Sequence, residues 1–535
     1  MSDRLRMTGM YSGMDTESII QQLVSAKSTK VTNLKNDQKK LEWKQTAWQD
    51  LNSKIHSLWG TTLTKLRLSS AYKKKTTTSS DPTKVSITAS GEAVNGTQSV
   101  KVNKLAKSTR ITGAEVAKKK VTKDGKETEE NWAITDKLNN LTGGKTGTIR
   151  VKVGNEEVKE IAIDDDMTIN GFVGKLKDAG LNASFDTENN RFFISSKGTG
   201  KDSNFTINGS EALLNSLGLQ PSDNATNTLS GYKKIDGEDS EIELDGVAFT
   251  SASNSYSING LTINALGVTD AEVSIVTADD YTGIYDTIKD FITEYNELIN
   301  EMDKLYNADS ARKYSMLTND EKEAMTDEEV ETWENTIKGA LLRKDSTLGK
   351  VMNSMVNVMM GSYYTVPVLT DREKESMTAA EIAKWEEDNK KNKLYLADFG
   401  IKTMNYFEAE DNKHHEYHID GDTDDESVSA KEDKLKAAIA KDPEGIANFF
   451  SNLCNTMYTT LKDQMGSTDY SSIYKVYNDK QLKKEYEDYN TKIKKAEKEL
   501  SNYEDRWYDK FSAMETALSK LQSSQNVVSS MLGMG

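Results

Sequence analysis

From Gln481 to Gln522 the sequence reads QLKKEYEDYNTKIKKAEKELSNYEDRWYDKFSAMETALSKLQ. Leu482, Tyr486, Tyr489, Ile493, Ala496, Leu500, Tyr503, Trp507, Met514, Ala517 and Leu521 recur there at spacings of three and four. Lys510 is the one polar member, with Phe511 beside it. A run of about 40 residues, about 60 Å long if helical, predicts a coiled-coil strand. Such a strand needs a partner, and the other end of the chain offers one. Asp15 is placed to cap a helix with Glu17 in its first turn. Leu34, Leu41, Trp48 and Ile55 then repeat every seven residues, and Leu51 and Leu58 fill the companion seam, which Asp37 and Lys44 occupy earlier. Residues 30–66 are expected to pair with 480–522, so the chain between them must be looped out.

In that middle the period changes from helical to alternating. Val85 and Ile87, then Val100 and Val102, flank Asn95-Gly96 and predict a hairpin; Ile149, Val151 and Val153, then Val158 and Ile161, flank Gly154-Asn155 and predict another. Strands are also expected at 183–185, 192–194, 205–207, 242–244, 247–249, 258–263 and 273–276, with Asp245-Gly246 and Asn259-Gly260 as turns and a short helix near 168–179. Helical spacing returns at Ile284, Ile288, Phe291, Tyr295, Leu298, Met302 and Leu305, then at 330–360 and 432–465. The fold class is α+β and multidomain: paired terminal helices as a coiled-coil leg, a helical domain, and one or two inserted β-rich domains. The boundaries are 1–14 as a disordered leader, 15–75 as the first leg helix, 76–278 as the β-rich part, 279–470 as the mainly helical domain and 471–535 as the second leg helix.

Composition narrows the function. With 535 residues the chain exceeds one hydrophobic core, and its 36% hydrophobic content and mean hydropathy of −0.68 suit long helices and thin β modules. No apolar run reaches the 18 or more residues of a membrane span, so membrane insertion is not expected. Residues 1–75 carry 14 Lys/Arg against 6 Asp/Glu, while the whole chain is at −16. No aromatic or arginine-rich reader accompanies these lysines, and no nucleic-acid partner is expected.

Motifs for catalysis and metals fail at their key positions. His414, His415 and His418 cluster near Asp411 and Glu416 without a second ligand group. Asp420-Gly421-Asp422-Thr423-Asp424 starts like a calcium loop, but its sixth position is Asp425 and its twelfth Lys431, which predicts a solvated acidic turn. Gly144-Lys145-Thr146 lacks the first glycine of a phosphate loop, where Asn139 stands. Cys454, the single cysteine, lies on an apolar helix face as a small hydrophobe. No enzyme, cofactor or metal site is expected. One repeat stands apart. LTNDEKEAMTDEEVETWE at 317–334 returns as LTDREKESMTAAEIAKWE at 369–386, and Thr326 with Glu329, or Thr378 with Glu381, forms a capping box one turn before Trp333 or Trp385. The duplicated segment reads either as a docking loop or as a surface insertion without a binding role.

At its ends the chain resembles a known family. Thr8-Gly9-Met10-Tyr11-Ser12-Gly13-Met14-Asp15 with Ile19-Ile20 and Leu23 is similar to the opening of the flagellar filament cap family, also called hook-associated protein 2. Leu41 to Asn52 resembles its next block, and Tyr503 to Trp507 with Phe511 to Glu515 and Ser519 to Leu521 resembles its closing helix. Lys344 to Leu348 and Asp433 to Ile439 with Pro443 match blocks between, whereas 106–278 matches more loosely. The resemblance implies export through the flagellar type III channel and assembly as a ring-shaped homo-oligomer at the filament tip, helping flagellin fold and insert. It also implies hook–filament junction proteins and an export chaperone as further partners. On this reading Leu34, Leu41, Trp48, Leu51, Ile55, Leu58, Leu482, Tyr489, Ile493, Leu500, Trp507, Met514 and Leu521 are the assembly residues. The competing readings are a surface adhesin or glycan-binding module without a capping role, and a cytosolic coiled-coil scaffold.

Overall fold

Two units are built from the chain in a computed structural model that describes residues 12–222 and 229–531. One is continuous, Lys73–Asp280; the other joins the segment ending at Tyr72 to the segment beginning at Tyr281.

The continuous unit is antiparallel β structure around two cores. In the first, a five-stranded sheet orders Lys75–Ser79, Val273–Asp279, Gly96–Lys104, Ser240–Leu244 and Val247–Ser251. A three-stranded sheet of Ser255–Ile258, Leu261–Ala265 and Val85–Ala89 contributes to the same core through Val85, Tyr256, Leu261 and Ile263. Alternation sets the faces: Val100, Val102, Ile242, Val273 and Ile275 are buried while their neighbours in sequence face outward. The hairpin expected across Asn95-Gly96 does not form. Val85–Ala89 pairs with Leu261–Ala265, and Gly96–Lys104 pairs with strands on both sides that arrive from residues 240–244 and 273–279. Asp245-Gly246 and Asn259-Gly260 do turn hairpins, and all four residues have the positive φ that such two-residue turns require.

The second core belongs to the insertion between Gly96–Lys104 and Ser240–Leu244. A four-stranded sheet orders Lys233–Ile235, Arg110–Thr112, Arg191–Ser196 and Leu181–Asp186, and a three-stranded sheet orders Phe205–Asn208, Gly147–Val153 and Lys159–Ile163. The expected hairpin at Gly154 is present, with Ile149 opposite Ile161. The helix Ile169–Asp178 is capped by Thr168, whose hydroxyl accepts from Gly171 N–H at 3.0 Å, and it buries Phe172, Val173 and Leu176.

The helical unit is organised by Tyr281–Tyr306, whose expected apolar face is buried throughout from Ile284 to Met302. Asp345 caps Ser346–Met359 and Asp442 caps Pro443–Gln464, each carboxylate accepting from backbone N–H groups. Phe449, Phe450, Leu453 and Cys454 are fully buried between these helices. Flanking this body are the long helices Thr16–Ser57 and Asp479–Met531. The first runs through a π-helical turn, Leu58–Leu63, into Thr64–Leu66, which delivers Leu58, Leu63 and Leu66 to the body core.

Candidate functional site: the paired terminal helices

Polar contacts fix how the two long helices meet. Ser12 bonds to Glu515, Tyr508 O–H donates to Glu17 at 2.7 Å, and Lys30 pairs with Glu499 at 3.4 Å. Lys35 pairs with Glu497 at 2.7 Å, and the Gln38 amide donates to Asn490 Oδ1 at 2.7 Å. As one number rises the other falls, and the paired numbers sum to about the same value throughout, so the pairing is antiparallel with a single register. The register ends where Trp48 stacks on Tyr477, ring centres 5.3 Å apart and 7° from parallel, just before the second helix begins at Asp479. Residues 1–11, most of the expected leader, lie outside the described residues; Asp15 caps the first helix by accepting from Ser18 N–H at 3.0 Å.

That register decides the fate of each seam residue. Leu41 is buried and Leu34 half-buried on the first helix; Leu482 and Ile493 are buried on the second, with Tyr489, Leu500, Trp507 and Met514 half-buried. Leu521 is 66% exposed, six residues past Glu515. Leu51, Ile55 and Leu58 were expected to face 480–522 and do not. They lie beyond the Trp48–Tyr477 level and pack into the body core with Ile288, Phe291 and Phe450. The straight-helix period of 3.6 also turns the heptad face as the helix advances. Lys44, expected in the seam, reaches Asp345 at 2.9 Å instead, on the cap of a body helix. Lys510 lies over the Trp507 ring at 4.5 Å, and Asp37 is exposed. Burial first, and the Asp37 carboxylate second, raise the Tyr489 phenol above its ordinary value.

One residue that matters was illegible as a site. Asn52, 3% exposed, donates to Tyr474 C=O at 3.2 Å and accepts from Val476 N–H at 2.9 Å, so it clamps the return segment to the first helix. Beside it His56, Trp59, Tyr474 and Tyr458 form an aromatic cluster in which Trp59 stacks on Tyr458, with Arg67 at 4.3 Å over the Tyr458 ring.

The other motifs go to structural uses. Asp422 and Asp424 both bind Lys289, at 2.7 and 2.6 Å, and Asp420 faces Lys402 and Lys431. Asp420 and Asp422 are buried, so the expected solvated turn is a charge-paired one. Burial alone would lower the Lys289 ammonium, but the two carboxylates outweigh it and hold it above its ordinary value. Lys289, Asp422 and Asp424 line a cleft of ≈ 600 Å³ with Asn296, Tyr417 and His418. His418 bonds to Asp425 while His414 stacks on Tyr406, so the histidines diverge. Among the described residues no three His, Cys, Asp or Glu side chains are grouped to hold a metal, and no helix is long and apolar enough to cross a membrane. In the repeat, all four helices carry complete capping boxes, from Thr318, Thr326, Thr370 and Thr378. Trp333 packs edge-on against Tyr314 and Trp385 against Tyr364, so each insertion closes on its own aromatic pair.

Among the described residues, terminal helices fold back on each other with β modules inserted between them, which defines a multidomain α+β protein closed by a helical pair. Residues 12–109 match the model for the flagellar hook-associated protein 2 N-terminus and 237–523 match that for its C-terminus. The chain is 25% identical over 489 residues to flagellar hook-associated protein 2 of Halalkalibacterium halodurans, covering 88% of this chain and 84% of that one. It is 24% identical to the protein of that name in Escherichia coli K12, over 98% of this chain and 96% of its relative. The crystal structure of the D1-D2-D3 domains of the flagellar cap protein FliD from Escherichia coli shares the fold, with a TM-score of 0.51 at 18% identity, covering 78% of this chain and 96% of that one. The chain belongs to the flagellar hook-associated protein 2 family, the filament-capping proteins located at the tip of the bacterial flagellum.

Proposed function

We propose that this chain caps the growing filament as a homo-oligomer, with the paired terminal helices as its leg and the Lys73–Asp280 unit as its plate. The observation that carries the assignment is the single antiparallel register from Ser12–Glu515 to Trp48–Tyr477, which joins the two family-matched ends into one element. The leg meets flagellin, and the cap holds an incoming subunit while it folds and inserts. No reaction is required for this: the polar clusters are spent on ion pairs and caps, and nothing in the comparisons favours a surface adhesin or glycan-binding module. Hook–filament junction proteins and an export chaperone are the further partners of such a cycle. Deleting the gene should leave flagellin secreted as unpolymerised monomer, and negative-stain images of the purified chain should show rings with protruding legs. Filaments of full length without the protein would end the reading.

A further inference from the structure

One element of the β unit has no part in either core. Lys119–Lys123 and Lys126–Glu130 form a hairpin turned by Asp124 and Gly125, at φ +52° and +76°. It is a two-stranded sheet by itself: among the described residues no third strand pairs with either edge. All eight residues of 122–129 are exposed. Its base is nonetheless fixed. Trp132 is buried and donates its indole N–H to Ala117 C=O at 2.7 Å, and Lys119 pairs with Asp136 at 3.1 Å. A lone two-stranded hairpin is marginally stable in water, so a rooted one with two free edges gains from another strand.

Its charges are sorted by strand. The outgoing side carries Lys118, Lys119, Lys120 and Lys123; the return side carries Glu127, Glu129 and Glu130 after Lys126. Edges protected against pairing need only one sign of charge on both. Sorting does something else: it makes each edge repel its like and attract the other. Two copies meeting through the same edge would set Lys against Lys or Glu against Glu. Copies meeting through unlike edges continue the sheet in the order outgoing, return, outgoing, return, in which every neighbour is antiparallel. That is a head-to-tail contact, the kind that closes into a ring. The hairpin lies in 110–236, between the two family matches.

We infer that the 119–130 hairpin is a head-to-tail docking element between copies of this chain, the lysine edge of one pairing with the glutamate edge of the next. The inference rests on the homo-oligomeric reading above and names one of its contacts.

The test is sedimentation velocity of the full chain across a concentration series, at about 0.05 and 0.5 M salt. Lys118→Glu, Lys120→Glu and Lys123→Glu together make both edges acidic, and Glu127→Lys with Glu129→Lys makes both basic. Each variant should assemble at least about tenfold more weakly than the parent at low salt, with the difference shrinking at high salt. A 1:1 mixture of the two variants, and a single chain carrying all five substitutions, should both recover assembly. Mixing could not rescue hairpins that had merely unfolded, so recovery separates docking from folding. Parent and variants assembling alike would overturn the inference and leave the oligomer standing; so would edge amides protected from exchange only when flagellin is added. A parent chain that stays monomeric at every concentration would remove the oligomeric reading itself.

Discussion

Asn52→Ala is the sharpest test of how the leg is joined to the body. The amide occupies a buried position on the first helix and satisfies two backbone groups of the return segment, Tyr474 C=O and Val476 N–H. Tyr474 is also held at φ +64°, the left-handed region that a bulky residue rarely adopts. Truncation leaves a buried N–H and a partly buried C=O without partners, at about 1–3 kcal/mol for the first and less for the second, so about 2–4 kcal/mol together. Urea unfolding followed by helical circular dichroism should shift its midpoint downward by about 1 M or more. Trp132, the one tryptophan between residues 73 and 280, reports the β unit separately, and its transition should stay in place. A change below about 0.5 kcal/mol, or an equal shift of both units, would refute the clamp.

Four shorter predictions follow from the same contacts. Ile493→Asp should destabilise the helical unit more than Leu500→Asp, because Ile493 is 7% exposed and Leu500 half-buried; denaturant midpoints decide the order. The carboxyls of Glu321, Glu329, Glu373 and Glu381 lie below their ordinary values because their own caps' backbone N–H groups, then the threonine hydroxyls, bind the charged form. Their stabilisation is complete above the unfolded value of about 4.3 and is lost as pH falls through the lowered folded one, so the insertion helices should lose their amide shift signatures below about pH 4. Burial pushes the Cys454 thiol up to about 12, beside the Tyr72 hydroxyl at 3.5 Å, so a thiol reagent should label it only at the unfolding rate; rapid native labelling would count against the packing. Amide exchange along Asp479–Met531 should slow steadily from the Leu521 end towards Leu482, and uniform protection would contradict the burial gradient.

What the sequence shows clearly is what local period encodes. The 281–306 face, the hairpins at Asp245-Gly246 and Asn259-Gly260, and both long helices follow from spacing and turn residues alone. Asn95-Gly96 looked equivalent and was not, because the strands on either side pair with segments 140 to 180 residues away. That choice is made by two sheets sharing a core, which no short window contains. The 119–130 hairpin escaped for the opposite reason: it carries the Asp-Gly turn but buries nothing, so it shows no alternation. Asn52 and Lys44 escaped because a polar residue near a heptad seam reads as surface or as a register device. Their partners, Val476 and Asp345, are hundreds of residues distant, and only the assembled fold shows that the seam ends at Trp48.

Where the seam ends explains how one pair of helices can be firm at one end and yielding at the other. At Trp48 and Leu482 the pairing is continuous with the body core, so opening it would expose apolar surface shared with five other helices. Through Ile493 and Ala496 the helices still bury a narrow stripe. Beyond Leu500 the apolar positions are half-buried, and the contacts that hold register are Lys30–Glu499, Tyr508–Glu17 and Ser12–Glu515. The exposed Lys30–Glu499 pair contributes about 0–1 kcal/mol and weakens in salt, while Tyr508–Glu17 and Ser12–Glu515 are part-buried and screened less; each is one polar pair, whereas every buried large side chain nearer the body contributes about 1.5–3 kcal/mol. The free energy of opening therefore rises from the tip of the leg towards its root. The proposed capping cycle, in which the leg lets a subunit pass, requires motion at the tip without loss of the body, and such a gradient is what that proposal needs. The motion does not require polar residues within the seam: Lys44 is committed to Asp345, and the apolar stripe itself thins out.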